Sequence, residues 1–163
     1  MAWTTPKTWS NEPLVAGDLN THLRDNMEAL KDPPSEQVVL DEASNYSTSS
    51  TVFVDVDNTV LSLTLETNGG DVMVHFHATV SMSANVFFDV LVDGVRTAGD
   101  DGIAVQGAND TTMTFTRLIT GLSAGSHTFT LQWKINTGTA TLYAGAGTFN
   151  RDLHPQFWAR EIS

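Results

Sequence analysis

The stretch VMVHFHATVSM, residues 72–82, decides the fold of this chain of 163 residues. Apolar side chains occupy every second position, and histidine, threonine and serine fill most of the positions between them. A period of two is typical of a β-strand that buries one face and exposes the other to water. The sequence therefore predicts a long, half-buried strand at residues 72–82.

The same period continues through most of the chain after residue 37. The predicted strands cover residues 52–54, 61–65, 72–82, 86–92, 113–119, 129–135, 139–144 and 156–162. Turn chemistry separates them at residues 68–70, 93–94, 121–125 and 136–138, and residues 44–50 and 98–110 are predicted loops. About eight such strands with polar outer faces predict an antiparallel β-sandwich of the jelly-roll type, with a tumour-necrosis-factor-like or C1q-like form as one alternative.

The first thirty residues have a different period, which predicts a short amphipathic helix. The predicted stripe consists of Ala16, Leu19, Leu23, Asn26 and Leu30, widened by Met27. Pro33 and Pro34 disfavour helical backbone before them, so the helix is predicted to end near Lys31. The expected organisation is an N-terminal segment at 1–32, a linker at 33–36 and a β-sandwich at 37–163.

A helix of about four turns is marginal in water by itself, so we expect a partner to cover its stripe. The partner is either the same helix in other copies of the chain or another protein, and docking onto the chain's own β body is the alternative. Asn26 is expected to fix register within that seam. Trp3 and Trp9 precede the helix as exposed aromatic anchors for an interface.

The two tryptophans, Leu14 and the runs DLN at 18–20 and LRDN at 23–26 carry a resemblance. With these residues the N-terminus resembles those of small phage and prophage virion proteins of the tail-fibre, head-fibre or minor structural type. The resemblance covers about the first thirty residues and implies that this segment attaches the chain to a virion. The residues expected to bind the assembly are Trp3, Trp9, Leu14, Leu19, Asn20, Leu23, Arg24, Asn26 and Leu30.

Composition excludes several classes of function. The net charge is −11 with only 8 Lys and Arg, which opposes binding to nucleic acid or to anionic membrane surfaces. The chain has no cysteine, so disulfides, thiolate catalysis and cysteine-based zinc sites are excluded. We find neither a secretory signal nor a transmembrane stretch, and expect a protein made in the host cytoplasm that enters the virion without membrane insertion.

The sequence also contains a serine-hydrolase-like pattern, at which we expect no catalysis. Gly121 to Gly125 match G-x-S-x-G around Ser123, and Asp152 and His154 follow in the order of an α/β-hydrolase. That motif works at a strand-to-helix turn on a parallel sheet, whereas here it joins two alternating strands. It is therefore interpreted as a hairpin turn.

Metal and cofactor sites are likewise disfavoured. His75 and His77 share one strand face, as in cupin-type barrels, but a third ligand is missing, and His127 falls on an apolar phase. Interface or surface histidines are the favoured interpretation. Calcium prefers oxygen ligands, which the loops supply at Asp55, Asp57, Asn58, Asp100 and Asp101. These residues do not follow the spacing of a calcium-binding loop, so solvated surface carboxylates are favoured over a calcium site. The dinucleotide fingerprint begun by Gly145 and Gly147 fails at Asn150. We expect no cofactor.

Three function classes remain. The first is a phage virion structural protein, a homotrimer that binds other virion proteins through its N-terminus and displays the sandwich as a decoration or fibre-tip module. The second is a carbohydrate- or receptor-binding module that recognises a host-surface glycan. Tyr143, Phe157 and Trp158 would form its sugar-stacking platform, although core positions are favoured for them as for Trp133. A metal-dependent cupin-like enzyme ranks last.

Overall fold

The computed structural model describes the backbone of residues 4–162, and every side chain in that range except that of Ala29. The chain divides into two compact units, Met1–Pro34 and Ser35–Ser163. We call them the N-terminal unit and the β body. No helix in the described range is long and apolar enough to span a membrane.

The N-terminal unit contains one helical segment of three consecutive parts. These are α1 (Ala16–Leu19), a π-helical stretch (Asn20–Arg24) and α2 (Asp25–Lys31). Asp32 has left the helical region, with φ −133° and ψ 71°. The predicted end near Lys31 is correct, because the prolines that follow cannot continue the helix.

Over residues 35–162, the β body consists of twelve strands in two antiparallel sheets. They are β1 (Ser35–Val39), β2 (Tyr46–Thr48), β3 (Val54–Asp55), β4 (Ser62–Thr67), β5 (Gly70–Met82), β6 (Val86–Val92), β7 (Val95–Arg96), β8 (Ala104–Gln106), β9 (Thr111–Leu122), β10 (Gly125–Ile135), β11 (Ala140–Leu142) and β12 (Gln156–Glu161). Several of the short strands share a neighbour, so each sheet is four strands wide. The first sheet runs β1/β2, β12/β11, β5, β9, and the second runs β3/β4, β10, β6, β7/β8.

This order is that of a jelly roll. The pairs β1/β2, β3/β4, β7/β8 and β11/β12 each occupy one position in a sheet and are counted here as one interrupted strand. The chain then has eight strands, which, numbered in chain order, are arranged 1-8-3-6 in the first sheet and 2-7-4-5 in the second. Most connections cross from one sheet to the other, which wraps the two sheets around a single core. The expected fold class, a mainly β antiparallel sandwich after a short N-terminal helix, is confirmed.

The core follows the alternation that the sequence predicts. In β5, Val72, Val74, Phe76, Ala78 and Val80 are buried, and the residues between them face outward. Phe76 contacts three other aromatic rings, Phe88, Phe115 and Phe157, with centroids 5.6, 5.8 and 6.3 Å away. Every member of the core cluster lies at or after Leu40 in the sequence.

Loop and linker expectations need correction at three places. β2 lies within the polar stretch 44–50, and β8 lies within 98–110. β1 begins at Ser35, inside the expected linker 33–36, and pairs with β12. All three are short edge strands, and pairing with a neighbouring strand stabilises them without a strong alternating pattern of their own.

The turns also divide into two kinds. Asp93 and Gly94 form a true hairpin turn between the paired strands β6 and β7, with positive φ angles of 52° and 80°. This is the type of turn that an Asp-Gly pair favours. Residues 121–125 do not form the hairpin that the sequence predicts, because β9 and β10 belong to different sheets. Ser123 instead lies in a short corner between the two sheets.

Candidate functional site

The N-terminal unit is held together by polar contacts between residues 4–13, here called the leader, and the helix. The Thr4 N–H donates to Asn26 Oδ1 at 2.8 Å, and Asn26 Nδ2 donates to the Thr4 carbonyl oxygen at 2.6 Å. Lys7 Nζ donates to Asp18 Oδ2 at 2.6 Å. Since Thr4 meets α2 and Lys7 meets α1, the leader runs antiparallel to the helix.

Asn26 therefore has a different role from the predicted one. The sequence predicts that it fixes register in a seam facing a partner, but its side chain is only 4% exposed and satisfies both backbone groups of Thr4. An amide can do this because it carries a donor and an acceptor on one rigid plane. Asn26 is an internal clamp of the unit, and no feature of the sequence pattern distinguishes this role from the predicted one.

The apolar side chains of the helical segment remain open. Leu23 is 49% exposed, Met27 69% and Leu30 70%, and Leu14 just before the helix is 64% exposed. Leu23, Met27 and Leu30 are spaced i, i+4 and i+7, so they lie on one face. We call these three residues the open stripe.

The other predicted assembly residues lie around this stripe. Leu19 and Trp9 are partly buried, and the Lys7 ammonium lies 5.1 Å from the centre of the Trp9 ring. Asn20 and Arg24 are exposed at the two ends of the π-helical stretch, and Arg24 pairs with Asp25 at 2.8 Å. Trp3 lies outside the described residues.

A second candidate site lies on the outer face of the first sheet. Gln37, Trp158, His75 and Thr116 are aligned across β1, β12, β5 and β9. The rings of Trp158 and His75 stack with centroids 5.2 Å apart and planes 22° apart, and His75 Nδ1 lies 3.0 Å from Thr116 Oγ1. Burial lowers the pKa of His75, and the nearby His77 lowers it further. The imidazole of His75 thus covers one face of the indole.

The remaining face of Trp158 borders a groove of about 410 Å³ over β1 and β12. We call it the β1–β12 groove. Its lining consists of Ser35, Glu36, Gln37, Gln156, Trp158, Ala159 and Arg160. His75 is not among these residues, so the groove lies on the side of the indole away from the imidazole. Sequence reasoning favoured a core position for Trp158, but only Tyr143 and Phe157 of that aromatic trio are buried.

Ser123 takes part in a Ser-His-Asp arrangement that the sequence did not predict. His127 Nδ1 lies 2.7 Å from Asp93 Oδ2, and Nε2 lies 2.9 Å from the Ser123 carbonyl oxygen and 3.4 Å from Ser123 Oγ. A carboxylate and a carbonyl oxygen can only accept hydrogen bonds, so each ring nitrogen binds its oxygen as an N–H donor, and both bonds form together in the protonated ring. The hydrogen bond to Asp93, and then that to the Ser123 carbonyl, raise the pKa of His127.

This geometry differs from that of a catalytic triad. A general-base histidine needs a free Nε2 to take the serine proton, whereas here Nε2 donates to a backbone carbonyl. The histidine instead ties the corner at Ser123 to the hairpin turn at Asp93. Asp152 and His154, the partners suggested by residue order, lie elsewhere: Asp152 accepts from the Gly147 N–H and His154 Nδ1 lies 2.8 Å from the Leu40 carbonyl oxygen.

The acidic loop residues are engaged in local contacts. Asp57 Oδ1 accepts the N–H groups of Thr59 and Val60 at 2.7 and 2.9 Å, and the bond from Val60 contributes most to lowering the pKa of Asp57. Asp55 Oδ1 accepts from Gln132 at 2.8 Å. Within the described range, no three His, Cys, Asp or Glu side chains come together in a way that would hold a metal ion.

No protein-family model matches this chain, and no curated protein is significantly similar to it. Among solved structures, the chain is similar to the infectious bursal disease virus VP2 subviral particle, with 13% identity and a TM-score of 0.41. The similarity covers 80% of this chain but only 38% of the VP2 chain.

Proposed function

We propose that this protein is a structural component of a phage virion. In this proposal the N-terminal unit attaches the chain to a capsid or tail, and the jelly roll is displayed as a decoration or fibre-tip module. The open stripe carries the proposal, because three large apolar side chains on one face of a short helix are exposed, while the β body has its own core. The N-terminal resemblance to phage virion proteins agrees with this role.

The proposal includes a homotrimer. A four-turn helix gains little stability from its own hydrogen bonds, and burying a leucine or methionine side chain contributes about 1.5 to 3 kcal/mol. Identical helices around a common axis would cover one another's stripes, as would a partner protein of the virion. The leader contacts leave the stripe available, since Asn26 and Asp18 hold the leader through polar groups.

The oligomeric state tests the attachment surface directly. In light scattering at micromolar concentration, we expect a trimeric mass for the full chain and a monomeric mass for the double variant Leu23→Asp with Leu30→Asp. Val105→Asp is the matched control, because Val105 is 55% exposed but lies in the β body. A monomeric mass for the unmodified chain would contradict the trimer.

Attachment to the particle is a separate test. Added to virions that lack it, the full chain should co-sediment with the particles in a density gradient, and the Leu23→Asp, Leu30→Asp variant should stay at the top. Co-sedimentation of the variant at the wild-type level would show that the open stripe is not the attachment surface.

We further propose that the protein is not an enzyme. Ser123 Oγ faces an imidazole whose nitrogens are both committed as donors, so the serine lacks an activating base. A fluorophosphonate probe should leave Ser123 unlabelled, as judged by mass spectrometry of the intact protein. Stoichiometric labelling of Ser123 would overturn this view.

A further inference from the structure

Arg160 differs from the other cationic residues of the β body. Four of the five have polar partners: Arg96 pairs with Asp89, Arg117 donates to the Thr97 carbonyl, Lys134 pairs with Asp101 and Arg151 pairs with Asp110. The side chain of Arg160 is exposed and forms no hydrogen bond or ion pair with any described residue. Its neighbours across the sheet, Ser35 and Met73, are uncharged.

Arg160 lies beside the partly exposed indole of Trp158. The two residues are separated by one position in β12, so both side chains are on the outer face, with Cα atoms about 7 Å apart. Both line the β1–β12 groove. Glu36 also lines the groove but forms no ion pair with Arg160.

The floor of the groove supplies neutral hydrogen-bonding groups. Gln156 Nε2 donates to Gln37 Oε1 at 2.9 Å, which orients the two amides side by side. This bond leaves the amide nitrogen of Gln37 and the amide oxygen of Gln156 for a ligand. Ser35 adds a hydroxyl.

We infer that the β1–β12 groove binds a carboxylate-bearing sugar, of the uronic acid or sialic acid type. The apolar face of the pyranose ring would stack on the free face of Trp158, and its carboxylate would form a two-point ion pair with the planar guanidinium of Arg160. The two glutamine amides would hydrogen-bond the ring hydroxyls. One monosaccharide spans these groups, because the indole and the guanidinium lie on adjacent outward positions of one strand.

The surrounding structure preorganises this site. His75 stacks on the face of Trp158 that points away from the groove and is itself hydrogen-bonded to Thr116. The orientation of the indole is therefore fixed, while its groove-facing side remains accessible. A rigid aromatic surface binds with less loss of side-chain entropy than a mobile one. This inference extends the proposed function by giving the displayed body a ligand, but it does not depend on attachment to a virion.

Binding to the full-length chain tests the inference. Two acidic probes are titrated, each with a matched neutral form: 3′-sialyllactose with lactose, and trigalacturonate with its methyl ester. The tryptophan indole N–H signals are followed by NMR. At least one acidic probe should shift the Trp158 signal and bind at least tenfold more tightly than its neutral form.

The variants separate the two contacts. Trp158→Ala should weaken binding of that acidic probe at least tenfold. Arg160→Gln should weaken it by a similar factor and remove the preference for the acidic form. The controls are Phe149→Ala, an 87% exposed aromatic outside the groove, and Arg151→Gln, and both should bind like the wild type.

Three outcomes would overturn the inference. The first is that neither acidic probe shifts the Trp158 signal at millimolar concentration. The second is that Arg160→Gln leaves the acidic preference intact. The third is that extended peptides, rather than sugars, bind by pairing with the edge strand β1, seen as shifts of β1 amides that persist in Trp158→Ala. Because these experiments do not measure assembly, their failure is distinguishable from failure of the virion proposal.

Discussion

The two units of the chain are stabilised in opposite ways. In the β body, large apolar side chains such as Trp133, Phe76 and Phe129 are almost wholly buried. In the N-terminal unit, the one buried side chain among those described is the amide of Asn26, and the large apolar residues of the open stripe face outward. We therefore expect the β body to fold by itself and the N-terminal unit to gain stability by associating with another surface.

Deleting residues 1–34 should have the largest effect on assembly and a small effect on the body. Because every residue of the core cluster lies at or after Leu40, the truncated chain should unfold cooperatively close to the wild-type melting temperature. It should also be monomeric, since the open stripe is gone. Circular dichroism melts and light scattering measure the two results, and loss of cooperative unfolding would show that the N-terminal unit completes the body's core.

Phe76→Ala should destabilise the β body by about 3 to 5 kcal/mol, because it leaves a cavity among three aromatic neighbours. Leu30→Ala is the contrasting change, since Leu30 is mostly exposed, and it should alter the body's unfolding free energy by less than about 0.5 kcal/mol. Urea denaturation of both variants checks the difference. An equal loss of unfolding free energy in both variants would mean that Leu30 contributes to the core of the β body as Phe76 does.

Asn26→Ala should loosen the N-terminal unit alone. It removes the acceptor and the donor that satisfy Thr4, a loss of about 0.5 to 1.5 kcal/mol for each of the two hydrogen bonds. Hydrogen exchange at the Thr4 amide should become faster, while amides of β5 should remain protected. Asn20→Ala, an exposed asparagine in the same segment, should leave the Thr4 amide unchanged, and equal acceleration in both variants would reject the clamp.

The smallest effect is a pH-dependent one at the corner of the β body. The pKa of His127 is raised, so its stabilising contribution is present below about pH 6.5 and lost as pH rises through the folded-state pKa. The pKa of Asp93 is lowered, chiefly by the Thr128 N–H and then by His127, so its contribution is lost as pH falls through its folded-state value. The free energy of unfolding of the wild type should therefore be about 1 kcal/mol higher than that of His127→Gln near pH 5, and the difference should be smaller at pH 9.

Thermal melts at several pH values measure this difference. Ser123→Ala is the control, because the backbone carbonyl that His127 contacts remains, and its melting temperature should follow the wild type throughout. A difference between wild type and His127→Gln that is constant from pH 5 to pH 9 would show that the histidine charge is not involved.

Much of the β body was predictable because alternation is a local signal. The buried and exposed faces of β5 follow directly from residues 72–82, and the Asp93-Gly94 pair predicts its hairpin turn by its preference for positive φ. The short strands β2 and β8 were not predictable, because they depend on pairing with other strands and have too few residues to show a period.

The candidate site was predictable only in part. Adjacent aromatic residues on a strand must face opposite sides, so either Phe157 or Trp158 had to point outward. Packing of Phe157 against Phe76 decided which one did. The outward position of Arg160 follows from the same alternation, but its lack of a partner depends on which strands lie beside β12.

The sequence by itself determined which segments become the long strands, where the helix ends and which positions on those strands share a face. These properties depend on side-chain spacing and on the backbone preferences of proline and glycine, which act over a few residues. Only the tertiary structure decided that β9 and β10 enter different sheets, that His127 meets Asp93 and Ser123, that Asn26 clamps Thr4, and that His75 supports Trp158. Each of these depends on contacts between residues distant in sequence or on a choice between sheets, and a local period carries no information about either.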